Sequence, residues 1–260
     1  MNNHLRLNLD SSLFDYQLEP VNDKSILITG GTTGIGRAIA ILLAAQGARV
    51  MIFGRHEQER NDAMNDIREA GGEVLGLTAD VSDPEDVQRV FQEFDKQMDK
   101  LDILINNAAL GYGSVMEGGY PEWEYILKTN LLGYMAMAHE AVERMKDSGW
   151  GHIVNIGSMS ADVREKDSSV YVATKAGIQG FSEALRKEVN PLGIKVTLIE
   201  PGAVGTDMQD QYSPEEQRER IEQMKMLRAE DIAACVLYTI TQPKRCDVVA
   251  LQIRPHLQEI

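Results

Sequence analysis

Short apolar runs alternate along the chain with longer amphipathic stretches. Residues 25–29, 49–53, 73–78, 101–106, 152–156, 195–199 and 247–253 read as strands, and the near-continuous apolar character of several of them predicts burial on both faces. Between them the hydrophobic period lengthens. Residues 37–46 read as a helix ending at Gly47, and 57–70 as a charged amphipathic helix closed by Gly71 and Gly72. A further helix opens at Pro84, where proline suits the first turn, and runs to about Met98. One long helix is expected from Pro121 to about Lys146, another over 170–190, a short one from Pro214 and a last over 229–241. Strand and helix alternate at βαβ spacing. This predicts an α/β fold: a doubly wound, Rossmann-like parallel sheet of seven strands in a single domain over 24–260, preceded by an arm over 1–23.

Composition narrows the partners. The chain has 260 residues and a net charge of −14, which opposes binding to nucleic acid or to an anionic membrane. An anionic cofactor therefore needs its own local positive site. No stretch reaches the roughly 20 apolar residues that cross a bilayer. The first 23 residues carry Asp10, Asp15 and Glu19 without an apolar segment, so they are not read as a secretory signal but as an arm packed through Leu13, Phe14 and Tyr16. Cys235 and Cys246 alone make neither a disulfide framework nor a metal site, and read as reduced thiols of a cytoplasmic protein.

In a doubly wound sheet, ligands bind beyond the carboxyl ends of the strands, so the residues just past each run carry the candidate chemistry. After the first strand comes Gly30-Gly31-Thr32-Thr33-Gly34-Ile35-Gly36. Gly30 permits a tight turn, Gly34 a close backbone approach, and Gly36 close packing of helix on strand, while the helix N-terminus offers unpaired N–H groups to a phosphate. The candidate phosphate-binding residues are thus Gly30, Thr32, Thr33, Gly34, Ile35 and Gly36. Asp80, past the third strand, can accept from an adenine amino group, with Val81 beside it, though a helix-capping charge explains Asp80 equally well. The second strand ends in Gly54, Arg55 and His56, where NAD-binding folds place an acid. A guanidinium there can hold a 2′-phosphate, which favours NADP over NAD.

The fifth strand is followed by Ser158, then Tyr171 thirteen residues on and Lys175 four after that. Tyr171 and Lys175 fall on one face of a helix. A lysine close to a phenol favours the phenolate, and a tyrosine so tuned can pass a proton to or from an alcohol oxygen. Asn130 lies on the apolar stripe of the long helix, among Ile126, Leu131 and Tyr134, and a buried amide needs partners.

Together these residues give the chain a clear kinship. Thr29-Gly30 to Gly36, Asn106-Asn107-Ala108, Asn130, Ser158, Tyr171-x-x-x-Lys175 and Pro201-Gly202 resemble the motifs of the short-chain dehydrogenase/reductase family, over residues 24 to about 253. Ala109 departs from the family's usual glycine and could crowd the cofactor backbone. The resemblance implies a hydride-transferring oxidoreductase acting on a small or medium carbonyl or secondary alcohol. Tyr171 is then the acid/base, and Ser158 holds the substrate oxygen. Lys175 lowers the phenol and holds the nicotinamide ribose, and Asn130 holds a water that links Lys175 to solvent. It also assigns Asn107, Ala108, Tyr171, Lys175, Pro201, Gly202, Val204 and Thr206 to the cofactor. It further implies no metal, a substrate lid over about 203–227, and a homodimer or homotetramer. Met208, Tyr212, Met224 and Met226 are expected to line the lid, with Tyr112, Met116 and Met159 opposite. Arg164 and Lys166 can meet an acidic substrate but equally suit a solvated loop. The competing reading is a cofactor-binding regulatory protein with this fold and no turnover; such proteins usually lack the tyrosine or the lysine.

Overall fold

The computed structural model describes residues 16–209 and 211–258. Its apolar runs form β1 (Ser25–Thr29), β2 (Arg49–Gly54), β3 (Glu73–Thr78), β4 (Ile103–Asn106), β5 (Gly151–Ile156), β6 (Ile194–Pro201) and β7 (Ala250–Ile253). They make one seven-stranded sheet of order β3-β2-β1-β4-β5-β6-β7, with every neighbouring pair parallel. The chain grows outward from β1 to β3, then returns to β4 on the other side of β1. That reversal opens a crevice at the carboxyl ends of β1 and β4.

The helices are α1 (Gly34–Ala45), α2 (Glu57–Glu69), α3 (Pro84–Gln97), α4 (Tyr120–Leu127), α5 (Gly133–Met145), α6 (Ser160–Val163), α7 (Ser169–Val189), α8 (Pro214–Glu222) and α9 (Ala229–Ile240). Strand β1 shows why the runs read as continuous. Ile26 and Ile28 pack into one core with Ile39 and Leu43 of α1 and Val236 of α9. Leu27, between them, packs into the opposite core with Phe91 and Phe94 of α3 and Met137 of α5. Alternate side chains of one strand serve both helical layers, so Ile26, Leu27 and Ile28 are all apolar. Each such side chain contributes about 1.5–3 kcal/mol by leaving water.

The sheet also buries an imidazole. His152 on β5 sits with Nε2 2.8 Å from Thr197 Oγ1 on β6, and Thr197 donates in turn to the Val248 carbonyl at 2.7 Å. The hydroxyl proton is thereby committed, so the ring donates from Nε2 and stays neutral. Burial, helped by the Lys195 charge, pushes the imidazole down to about 3. Between that value and the ordinary 6.5, only the unfolded chain takes up the proton, so stability falls as pH falls. Relative to pH 7.5, chemical denaturation at pH 5.5 is expected to show a loss of about 1.4 kcal/mol from this group. A His152→Gln variant should lack that slope whatever its own stability; an identical slope in the variant would remove His152 as the cause.

The structure corrects the sequence reading in several places. The helix expected from Pro121 to Lys146 is not continuous: α4 and α5 are separated by a π-helical turn, Lys128–Leu132, in which the Gly133 N–H reaches back to the Lys128 carbonyl. The last strand begins at Ala250 rather than 247, the fourth at Ile103 rather than 101, and the short helix α6 had no signal in the hydrophobic pattern. Of the arm, Leu13 and Phe14 lie outside the described residues. Tyr16 donates to Gln242 Oε1 at 2.5 Å and Glu19 N–H to the Thr241 carbonyl at 2.8 Å, which lays this stretch on the end of α9. Among the described residues no helix is long and apolar enough to cross a membrane.

Candidate active site

Strand β5 ends at Ile156, and the next residues are tied to β6. Gly157 N–H donates to the Ile199 carbonyl at 2.7 Å and Met159 N–H to the Pro201 carbonyl at 3.0 Å, which holds Ser158 between two main-chain bonds. Ser158 Oγ accepts from Ser160 N–H at 3.1 Å as α6 begins. Helix α7 then carries Tyr171 and Lys175 past the same strand end. Lys175 is buried, and its Nζ donates to the Ile156 carbonyl at 3.2 Å and lies 5.6 Å from the centre of the Tyr171 ring. Tyr134 of α5 donates to the same carbonyl at 3.0 Å. The sequence-predicted phenol, ammonium and hydroxyl therefore meet at the carboxyl edge of β5.

Their electrostatics differ from expectation in one respect. Burial pushes the Tyr171 phenol up to about 12, and the Ser158 hydroxyl, which favours the phenolate, only partly offsets this. Burial pushes Lys175 down to about 7. The lysine was expected to lower the phenol; within the protein itself burial, helped by the Glu165 charge, raises it. At neutral pH the phenol is thus a protonated acid beside an amine poised to titrate.

Asn130 sits in the π turn and is fully buried. Its Oδ1 accepts from Leu110 N–H and its Nδ2 donates to the Leu110 carbonyl, both at 2.8 Å, with Thr174 Oγ1 3.3 Å away. The side chain pins the loop after β4 to α7, next to Lys175. Because the amide is committed, any water link from this residue would run through its main chain. A π turn displaces main-chain carbonyls from the regular ladder, and such turns recur at functional sites. Gly133 permits it: a side chain there would meet Val81 at 2.9 Å.

The glycine turn is built to stay empty of side chains. Gly30 has φ +61°, and a Cβ on it would lie 2.9 Å from Ala108 Cα; one on Gly36 would lie 2.2 Å from the Gly30 carbonyl oxygen. A Cβ on Gly34, at φ +50°, would lie 3.2 Å from Thr206 Cγ2. Thr29 Oγ1 accepts from the N–H groups of Asn107 and Ala108 at 2.9 and 2.8 Å. Asn107 Nδ2 donates to the carbonyls of Thr29 and Gly30, each at 3.1 Å. The Asn107 side-chain amide nitrogen therefore braces the turn. Thr33 is the N-cap of α1 but makes no side-chain cap bond, and the first turn of that helix holds no acid. Thr32 is buried under Gly54, while Ile35 packs on the core. Open N–H groups, a positive helix end and a cradle that any Cβ would fill suit a dinucleotide pyrophosphate.

At the far end of the crevice Arg55 and His56 are exposed, Val81 is buried and Asp80 is half-buried. Tyr125 of α4, which the sequence reading passed over, joins Arg55 to Asp80 through its hydroxyl. No spacing links positions 55, 80 and 125; only the fold does. On the other flank Pro201 and Gly202 end β6, the latter donating to the Ile253 carbonyl at 2.7 Å. Val204 is bridged to Leu227, and the Ala203 carbonyl accepts from Leu227 N–H at 2.8 Å, so the segment 203–227 closes on itself. Of its expected lining, Met208 meets Tyr171, with the hydroxyl 3.9 Å from the sulfur. Met226 and Met159 are buried, whereas Met116 and Met224 are exposed. Arg164 turns back to the Ala161 carbonyl at 3.3 Å, and Lys166 is exposed.

A family model described as short chain dehydrogenase matches residues 24–217. The chain belongs to the short-chain dehydrogenase/reductase family. An uncharacterized oxidoreductase of Staphylococcus aureus strain USA300 is 34% identical over 236 residues, covering 90% of this chain and 98% of that protein. A counterpart in Staphylococcus epidermidis is 31% identical over the same length. Among solved structures, a double mutant of a Serratia marcescens short-chain dehydrogenase/reductase superposes with a TM-score of 0.81 at 27% identity, covering 91% of this chain and 98% of that one. A short-chain type dehydrogenase/reductase from Mycobacterium marinum, at 24% identity and the same TM-score, shares the fold. This short-chain dehydrogenase/reductase is accordingly an oxidoreductase of the nicotinamide-dependent type.

Proposed function

We propose that the chain is an NADP-preferring carbonyl reductase or alcohol dehydrogenase, with Tyr171 as its acid/base. The observation that carries this reading is the meeting of Tyr171, Lys175 and Ser158 at the end of β5, beside a glycine turn that admits a pyrophosphate. A bound nicotinamide supplies the hydride. Tyr171, protonated at neutral pH, donates to the substrate oxygen as charge builds there. Ser158 hydrogen-bonds the same oxygen and stabilises that charge. Lys175 holds the ribose hydroxyls, and its ammonium form favours the phenolate left behind. Asn130 keeps Leu110 and α7 in register around them. The cradle Gly30, Thr32, Thr33, Gly34, Ile35 and Gly36 takes the phosphates, and Pro201, Gly202, Val204 and Thr206 flank the nicotinamide. Asp80 and Val81 take the adenine, and Arg55 with His56 the 2′-phosphate.

The substrate is a small or medium neutral ketone, aldehyde or secondary alcohol. Met208 against Tyr171 and the turned-back Arg164 support an uncharged ligand under the lid. A screen of NADPH oxidation across carbonyl classes tests the reading. Turnover of at least one class is expected; tight NADPH binding with no turnover of any carbonyl would favour a regulatory binder instead. Cys235 and Cys246, both free, accord with a reducing cytoplasmic setting. Leu127, Leu132 and Met135 leave an exposed apolar face along α4 and α5, which supports a homo-oligomer joined there. Sedimentation should return a multiple of the 28.9 kDa chain, and a monomer would contradict it.

A further inference from the structure

The rim of the crevice holds a relay that the glycine turn and the catalytic residues do not explain. Arg55 Nη1 donates to Tyr125 Oη at 2.7 Å, and Tyr125 Oη donates to Asp80 Oδ2 at 2.7 Å. The other oxygen of Asp80 accepts from Ser82 N–H at 2.9 Å and Ser82 Oγ at 2.8 Å. The main chain of this turn is fixed as well: Asp80 N–H donates to Asp86 Oδ2 at 2.7 Å, and Arg89 bonds both Asp86 and, at 2.9 Å, the Thr78 carbonyl. Three elements distant in sequence are thereby joined through one phenol.

The direction of the relay is fixed by chemistry. A guanidinium can only donate, so the single phenol proton must go to Asp80. Burial pushes Asp80 up, but the hydrogen bonds from Ser82 and Tyr125 outweigh it and hold the carboxyl below its usual range. Burial and the Asp80 bond push the Tyr125 phenol up, so it keeps its proton. Donation to a carboxylate makes the phenol oxygen a better acceptor for Arg55. The spacing matters equally. A direct Arg55–Asp80 pair would commit the planar fork to a carboxylate. With the phenol between them, the exposed guanidinium is steadied and its remaining donors are left for another anion.

We propose that Tyr125 is a positioning residue for recognition of the NADP 2′-phosphate, holding the Arg55 guanidinium at the rim and apart from Asp80. This rests on the NADP reading above and adds a residue that no motif assigns. It is tested by calorimetric titration of NADPH and NADH into the wild type, Arg55→Ala, Tyr125→Phe and the double variant. Tyr125→Phe keeps the ring and deletes only the bridge. It is expected to lower the ratio of NADPH to NADH affinity about tenfold, whatever the loss of the Asp80 bond does to both. In the double variant that ratio should fall no further than in Arg55→Ala alone, since the tyrosine acts on the 2′-phosphate through the arginine. If Arg55→Ala erases the preference but Tyr125→Phe weakens both dinucleotides equally, or neither, the positioning role is overturned and the NADP reading stands. If the wild type prefers NADH, or Arg55→Ala leaves the ratio unchanged, the NADP reading itself fails and the role of Tyr125 falls with it.

Discussion

Tyr171→Phe is expected to lower turnover by about 10²–10⁴-fold or more while leaving dinucleotide affinity within roughly threefold. The substitution removes one oxygen and nothing else. That oxygen sits at the end of β5, where Ser158 and Lys175 converge, and its contacts in the protein are the Ser158 hydroxyl and the weakly accepting sulfur of Met208 at 3.9 Å. No buried main-chain partner is orphaned, so stability should change by less than about 1 kcal/mol. The phenyl ring keeps its packing near Lys175, so the lysine keeps its place against the Ile156 carbonyl. The measurement is a pair: steady-state NADPH oxidation with the best carbonyl from the screen, and NADPH binding by titration. Near-normal turnover in the variant would remove Tyr171 from the reaction. Parallel loss of turnover and binding would make it a structural residue instead.

Gly36→Ala should have the second largest effect, and on the other half of the site. A methyl there would lie 2.2 Å from the Gly30 carbonyl oxygen and 2.5 Å from Asn107 Nδ2. Those two atoms are hydrogen-bonded to each other at 3.1 Å, so the methyl enters the brace that shapes the turn. Neither neighbour is the free end of a flexible side chain. The start of α1 must move away from the turn, at a cost of about 1–3 kcal/mol. Because the same N–H groups form the phosphate cradle, dinucleotide affinity should fall roughly tenfold to a hundredfold. Gly180→Ala is the control. Gly180 lies in α7 with nothing near the position of its Cβ, and alanine there should stabilise the helix by about 0.5–1 kcal/mol without changing binding. If Gly36→Ala binds NADPH as the wild type does, the cradle is not where the phosphates sit.

These two predictions draw on features that were legible to different degrees. The inner strands could be found because they are covered on both faces, which makes successive residues such as 26–28 and 153–154 apolar. Tyr171 and Lys175 could be paired because four residues make just over one helical turn, and Asn130 stood out as an amide on an apolar stripe. The π turn that holds Asn130 was not legible. One extra residue in a turn changes the hydrogen-bond ladder but hardly alters the pattern of apolar positions, and the partner of Asn130, Leu110, lies twenty residues upstream. The direction of the Tyr171 shift is hidden for a related reason. A lysine neighbour can be read from spacing, whereas the degree of burial depends on how the surrounding elements pack. Tyr125 was invisible because its partners at 55 and 80 are brought to it only by the order of the strands.

The central claim is that one substrate oxygen is met by Tyr171 and Ser158 above a nicotinamide lying along the carboxyl edge of the sheet. A crystal structure of the chain with NADP bound tests it most directly. The pyrophosphate is expected on the N–H groups of Gly34 to Gly36 and the nicotinamide ring beside β5, with both hydroxyls within hydrogen-bonding reach of a single point over the ring. A dinucleotide bound elsewhere, or a ring turned away from Tyr171 and Ser158, would contradict it.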